Sequence, residues 1–277
     1  MPKKIIFEPE TIENILKLYC KKNLSMLAIA NIYKRNSSCI KRVLLEQKIK
    51  IRDTNFYKSK SFNENYFDKI DNQDKAYWLG FLYADGYITN QKTFGIKLSV
   101  KDFSHLEKLK NSLESAHNIY IYTNNNGYGK GNKYCALYIQ NSNFFNSLIK
   151  AGICKNKSRK IEIPNIKNEY ISHFIRGIFD GDGSVSYAVD KKYDYCMPIV
   201  SICGLRNILI WIKKQLPNKV PSIYKDYHKN KITNCCSLSF GGINNIKIFF
   251  DYIYNDADIF LERKKEKFEE IFKLHKT

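Results

Sequence analysis

Two apolar segments of this chain, WLGFLYADGYI at 78–88 and IRGIFDGDGSV at 175–185, close on the same acid and glycine. Gly80, Asp85 and Gly86 of the first align with Gly177, Asp182 and Gly183 of the second at one constant offset. Nothing else in the chain constrains the fold as tightly, because such a repeat implies two copies of one structural unit. Each copy carries two small residues four positions apart, Gly80 and Ala84, then Gly177 and Gly181. On a helix that spacing puts both on one face, and a face without bulk lets two backbones approach closely. Helices paired in this way bring Asp85 and Asp182 side by side at their C-terminal ends.

That is an unfavourable place for an acid, since the helix dipole is negative there and neighbouring carboxylates repel. A hard divalent cation held through oxygen, Mg2+ or Mn2+, resolves both problems. The peptide carbonyls of Ala84 and Gly181, just before the acids, are candidate further ligands. Phosphate oxygens complete such a site, so the repeat points to metal-dependent chemistry on a phosphodiester. DGDGS at 180–184 also suggests the start of a calcium loop. An EF-hand, however, needs Gly at its sixth position and Glu at its twelfth, where this chain has Val185 and Lys191.

The repeated segments resemble the two signature helices of the LAGLIDADG homing endonucleases, in the single-chain form that carries both motifs. The resemblance extends over 68–277. GICKNKSRKIEIPNI at 152–166 is similar to the link that closes the first half, and DADIFLERKKEKF at 256–268 to the closing segment of the second. The first motif departs from the family pattern at Trp78 and at Tyr83, where Asp is usual. The last Asp of each motif, the metal-binding acid, is kept in both. The resemblance implies that Asp85 and Asp182 hold the metal, each serving one scissile phosphate of opposite DNA strands. It also points to Lys157 and Lys264 as catalytic lysines that stabilise transition-state charge; both stand in lysine-rich runs where the register slips easily.

From residue 74 onward the two halves show one order of elements. The first reads as helix 74–85, strands 87–91 and 94–100, helix 103–116, strands 119–124 and 134–140, and helix 142–151. The second reads as helix 168–181, strands 184–189 and 197–203, helix 205–216, strands 221–227 and 234–240, and helix 242–254. The motif helices are apolar nearly all round, which suits burial between the halves. The expected fold class is α+β: a duplicated αββαββα with two antiparallel sheets. The resemblance implies a pseudo-twofold saddle whose concave sheet faces lie along the DNA major groove. Alternation supports two-faced sheets. Lys97 and Ser99 interleave with Ile96, Leu98 and Val100, while Tyr134, Ala136 and Tyr138 alternate with Cys135, Leu137 and Ile139. Lys97, Ser99, Tyr134 and Tyr138 are therefore candidate DNA contacts.

A separate module precedes the repeat. Helical spacing runs through Ile12, Ile15, Leu16 and Tyr19, then Leu27, Ala30 and Tyr33, then Ile40, Val43 and Leu44. Ser25, and Ser37 or Ser38, stand where N-caps would open the second and third helices. SMLAIANIYKRNSSCIKRVLLEQKIKIR resembles a helix-turn-helix, with its turn at Lys34-Arg35-Asn36. In such modules the start of the last helix reaches base edges, which here nominates Asn36, Ser37, Ser38, Lys41 and Arg42. Lys48, Lys50 and Arg52 follow and suit phosphates. The expected organisation is a helix-turn-helix domain at 1–52, a linker at 53–73, and LAGLIDADG repeats at 74–163 and 164–277.

Composition narrows the partner. A net charge of +19 over 277 residues favours a polyanion, although a Lys- and Asn-rich codon bias accounts for part of it. The eight cysteines form no CxxC pair, so a zinc site is not expected and the thiols read as small buried hydrophobes in a reducing compartment. No stretch of about 20 apolar residues is present, and an intracellular, cytoplasmic protein without a leader or membrane association is expected, with an organellar or nuclear location left open. The reading is a monomeric, site-specific double-strand DNA endonuclease of the homing type using Mg2+ or Mn2+. Two alternatives stay open: a maturase acting on intron RNA, and a DNA-binding regulator on a non-cleaving LAGLIDADG scaffold.

Overall fold

The structure is a computed structural model that describes residues 7–21, 24–51, 61–89, 91–125, 129–154, 162–190, 195–217, 222–228 and 231–275. The chain divides into two compact units, Met1–Ser59 and Lys60–Thr277.

The smaller unit packs α1 (Pro9–Leu16, continued by a π-helical turn at Lys17–Lys21), α2 (Met26–Ile32) and α3 (Ser37–Glu46). Its core is Ile15, Tyr19, Ile29, Ala30, Ile40, Val43 and Leu44. Ser25 caps α2 as expected, its side chain accepting from the Ala28 N–H at 3.1 Å. Asn36, rather than Ser37 or Ser38, is the residue before α3. The turn between them closes through the Arg35 N–H, which donates to the Ala30 carbonyl at 2.8 Å, with Lys34 at φ 51°. Leu27 does not join the core: it is 63% exposed, and Ile29 is buried instead.

In the larger unit the first half contains α4 (Gln73–Ala84), β1 (Gly86–Ile88), β2 (Thr93–Ser99), α5 (Phe103–Ser112), β3 (Ile119–Thr123), β4 (Lys133–Gln140) and α6 (Ser142–Lys150). The second contains α7 (Ile171–Asp182), β5 (Gly183–Asp190), β6 (Tyr195–Leu205), α8 (Arg206–Gln215), β7 (Ser222–His228), β8 (Lys231–Gly241) and α9 (Ile243–Tyr254). Each half is thus αββαββα. The sheets are antiparallel, in the orders β1-β2-β4-β3 and β5-β6-β8-β7. Register repeats with topology. Gly86, Ile96, Leu137 and Ile119 form one cross-strand row, and Gly183, Ile202, Leu238 and Ile223 form its counterpart. Because side chains alternate along a strand, equal register puts equivalent residues on the core side of both sheets. Ile96, Leu98, Leu137 and Ile139 are buried in the first, and Val200, Ile202, Leu238 and Phe240 in the second.

Three differences from the sequence reading have physical causes. α5 stops at Ser112 rather than 116, because Glu114 takes a positive φ of 49°. α7 begins at Ile171, since residues 168–170 wind as a 3-10 turn. A further helix, α10 (Glu262–Leu274), closes the unit. Its sequence is mostly charged and turns only Lys264, Phe268 and Ile271 into buried positions, too thin an apolar stripe to stand out. Residues 61–72 lie in this unit, where Tyr66 and Phe67 are buried in its core.

Candidate active site

α4 and α7 meet through glycine. A Cβ on Gly80 would lie 2.0 Å from the Phe174 carbonyl oxygen, and one on Gly177 would lie 2.0 Å from the Tyr77 carbonyl oxygen. The contact is reciprocal, as two equivalent helices crossing on a pseudo-twofold axis require. Every residue from Ala76 to Tyr83 and from His173 to Asp180 is buried. Near the C-terminal ends Gly181 faces Ala84, and a Cβ there would come within 2.2 Å of the Ala84 Cβ and 3.3 Å of Asp85 Oδ2. The Asp85 carboxylate therefore lies against the residue immediately before Asp182. Asp85 is half-buried as the residue that ends α4, while Asp182 is the exposed last residue of α7.

The donors gathered here are all oxygen: two carboxylates and nearby peptide carbonyls. That set suits Mg2+ or Mn2+ rather than zinc. Among the described residues no group of three or more His, Cys, Asp or Glu side chains could hold a metal by itself. A cation at this place would draw its remaining ligands from water or substrate.

Lys264 is brought to the same place by α10. It is not a solvated surface lysine: it is only 7% exposed, and its ammonium donates to the carbonyls of Phe179 (2.7 Å), Gly181 (3.2 Å) and Gly183 (2.6 Å). It thereby neutralises the negative end of α7. Burial lowers its pKa to about 8, with Asp180, Asp85 and Asp182 opposing that shift by favouring the ammonium and Arg263 reinforcing it. The Gly181 carbonyl, a candidate ligand by sequence, thus already accepts one hydrogen bond. Lys157 lies outside the described residues.

A buried polar cluster that the repeat pattern did not reveal supports this end of α7. Asp180, 1% exposed, accepts from the Tyr77 hydroxyl (2.8 Å), the Tyr254 hydroxyl (3.1 Å) and the Leu261 N–H (2.8 Å). Burial raises its pKa to about 6 despite those bonds, which favour the carboxylate. Tyr83 is its counterpart in α4, with the opposite polarity: its hydroxyl donates to the carbonyls of Ala151 (2.8 Å) and Glu162 (3.0 Å). Each motif helix is therefore tied to the segment that closes its own half by the residue two before the terminal acid. The signal was present in the aligned motifs, where an acid and a phenol share one position inside an apolar run.

The sheet residues fall as the alternation indicated. Lys97 and Ser99 are exposed on β2, and Tyr134 and Tyr138 are half-buried on β4. Ala136, on the same face, is fully buried instead, because larger neighbours cover it. In the smaller unit Asn36, Ser37, Ser38, Lys41 and Lys50 are exposed; Arg42 is half-buried with its Nε 3.8 Å from Glu46. Arg52 lies outside the described residues. Of the six cysteines whose side chains are described only Cys135 and Cys236 are buried; Cys20 and Cys203 are exposed, contrary to the expectation of buried thiols. Among the described residues no helix is long and apolar enough to cross a membrane.

The chain matches no protein-family model. An uncharacterised protein of Methanocaldococcus jannaschii is 26% identical to it over 203 residues, covering 69% of this chain and 22% of that protein. The chain thus corresponds to about a fifth of that relative's length. Among solved structures, it is similar to the LAGLIDADG homing endonuclease I-GzeII in complex with its DNA target, with 16% identity and a TM-score of 0.52. That match covers 74% of this chain and 93% of the endonuclease. It is similar also to the LAGLIDADG homing endonuclease I-LtrWI bound to target DNA, with 14% identity and a TM-score of 0.50 over 77% and 92% of the two chains. With two motif helices, two matched sheets and these neighbours, the chain has the fold of the LAGLIDADG homing endonucleases.

Proposed function

We propose that this chain is a LAGLIDADG homing endonuclease that hydrolyses one phosphodiester on each strand of a specific double-stranded DNA site. The observation that carries the reading is the Asp85 carboxylate set against Gly181, beside Asp182, at the shared end of two glycine-packed helices. A divalent cation, Mg2+ or Mn2+, supplies Lewis-acid polarisation of the phosphate and an ionised water when bound. Asp85 and Asp182 would hold it, with the Ala84 and Gly181 carbonyls as further ligands. Gly80 and Gly177 fix how closely the two acids approach. Lys264 stabilises the C-terminal end of α7 and places positive charge beside the acids. One chain supplies both acids, so the enzyme acts as a monomer.

DNA would be held by Lys97, Ser99, Tyr134 and Tyr138 on the first sheet. The smaller unit acts as a helix-turn-helix, with Asn36, Ser37, Ser38, Lys41 and Arg42 at base edges and Lys50 and Arg52 on phosphates. The test incubates the full chain with duplex DNA spanning its own uninterrupted insertion locus, in Mg2+ or in EDTA. Cutting of both strands in Mg2+ alone is expected, with Asp85→Asn and Asp182→Asn each abolishing it while binding persists. Binding without cutting under any metal would move the reading to the regulator, and preference for intron RNA to the maturase.

A further inference from the structure

The outward face of the first sheet is built of phenol rings. Cross-strand register puts Tyr87, Gly95 and Tyr138 in one row, Lys97, Ala136 and Tyr120 in the next, and Ser99, Tyr134 and Tyr122 in a third. Five tyrosines thus surround two positions with little or no side chain. The rings form a continuous layer. Tyr122 stacks on Tyr134 at 5.4 Å, and Tyr120 touches both Tyr122 (6.3 Å) and Tyr138 (6.4 Å). Lys97 supplies the only charge in these rows, and its ammonium sits 3.3 Å from the centre of the Tyr134 ring. The three rows contain no arginine, asparagine or glutamine. Gln140, farther along β4, has its amide nitrogen bonded to the Gln91 carbonyl.

This chemistry is selective in a particular sense. Guanine is read by the forked donors of Arg or by Lys, and adenine by the paired donor and acceptor of Asn or Gln. Thymine alone offers a methyl group to the major groove, read by apolar contact. The Tyr87 ring lies over Gly95 and larger neighbours cover Ala136, so the layer is closed; within these rows it offers apolar ring surface to projecting methyls and, apart from Lys97, none of the side chains that read the other bases. The described part of the second sheet is different. Ser184, Ser201 and Ser239 share one row there, and the hydroxyls of Ser201, Ser237 and Ser239 lie 2.6–2.9 Å from one another. A hydroxyl cluster of that kind has no comparable apolar surface.

Resting on the reading of the chain as a duplex DNA endonuclease, we propose that the first sheet recognises its half-site through thymine methyl groups, and that this half-site is rich in A·T pairs. The occupant of the tyrosine face is the major groove of duplex DNA. The net charge of +19 favours a polyanion, and the exposed rings read the methyl edges within its groove.

The test starts from duplexes selected by the full chain out of a randomised library. Positions read by the first sheet are those whose preference relaxes in Tyr120→Ala and Tyr138→Ala. Thymine in those pairs is then replaced by deoxyuridine, which removes the methyl and alters nothing in the protein. Affinity should fall about fourfold for each methyl lost, the value of one buried carbon, while the same replacement in the other half-site leaves affinity unchanged. Tyr138→Phe should keep the thymine preference because the ring remains. Equal affinity for uracil and thymine duplexes would overturn the proposal, as would loss of the preference in Tyr138→Phe. Tighter binding of single-stranded DNA or RNA than of duplex would assign the rings to base stacking and overturn it too. Absence of any sequence-selective duplex binding would instead sink the endonuclease reading on which it rests.

Discussion

Gly80 and Gly177 decide whether the two motif helices can meet. Each places its α-carbon where a methyl would enter the opposite backbone at 2.0 Å, a gap that no rotamer change opens. Gly80→Ala is therefore expected to destabilise the fold by about 3 kcal/mol or more, at the upper end of overpacking costs, seen as a lower urea midpoint. Ala84, facing Gly181, should tolerate Gly far better, since that change only removes bulk. The Gly80 and Gly177 roles were legible from the repeat alone, because small residues at a fixed spacing have few other uses inside an apolar helix. The shared position of Asp180 and Tyr83 was visible in the aligned motifs, but their partners were not, since these lie far along the chain, at Leu261 and at Ala151 and Glu162.

His105 carries a second residue-scale prediction. It is fully buried, shares a 2.8 Å hydrogen bond with the Tyr77 hydroxyl, and has no partner for Nδ1 among the described residues. Burial, then Lys108, lower its pKa to about 4. The folded protein thus keeps this ring neutral while the unfolded chain protonates it near 6.5. Stability from this group is fully present above pH 6.5 and lost as pH falls towards 4, by up to about 3 kcal/mol. Denaturation midpoints should drop over that window, and His105→Gln should flatten the drop. His173, lowered by burial to about 4 as well, leaves a residual slope in the variant.

At the scale of elements, α10 binds the second half to the first. Arg263 forms a two-pronged ion pair with Asp102 (2.8 and 2.9 Å), Lys108 pairs with Glu262, and Lys264 enters the end of α7. Asp102 is nearly buried while Arg263 is half-exposed. Arg263→Ala should cost about 2 kcal/mol, the scale of hydrogen bonds to a charged group, measurable by urea unfolding. The strands were readable because alternation survives on both sheets, and the repeat doubled every signal. α10 was not, since a charged helix with three inward residues has no strong period. Helix ends were also blurred: the 3-10 turn before Ile171 and the left-handed Glu114 are set by local packing that composition does not express.

For the molecule as a whole, equal register in two halves of unrelated surface chemistry is the main result. The rows through Gly86 and Gly183 match, whereas the outward rows differ: tyrosines with Lys97 and Ser99 on one sheet, and on the other a serine row beside rows that carry Cys203 with Ser237 and Leu205 with Cys235. The repeat thus keeps one frame around the acids while the outward faces of the two sheets differ. Binding of duplex DNA by so basic a chain should weaken on the order of a thousandfold between 50 and 200 mM salt, given about six phosphate contacts or more. A shallow dependence in a filter or fluorescence titration would argue against an extended phosphate interface.

The position of a divalent ion in the DNA-bound protein decides whether Asp85 and Asp182 form the active site. Crystals of the complex grown with Mn2+ would locate it directly by anomalous scattering. Peaks touching the carboxylates of Asp85 and Asp182 together with backbone phosphate oxygens are expected; manganese bound elsewhere, with those two acids turned away from the DNA, would contradict that assignment.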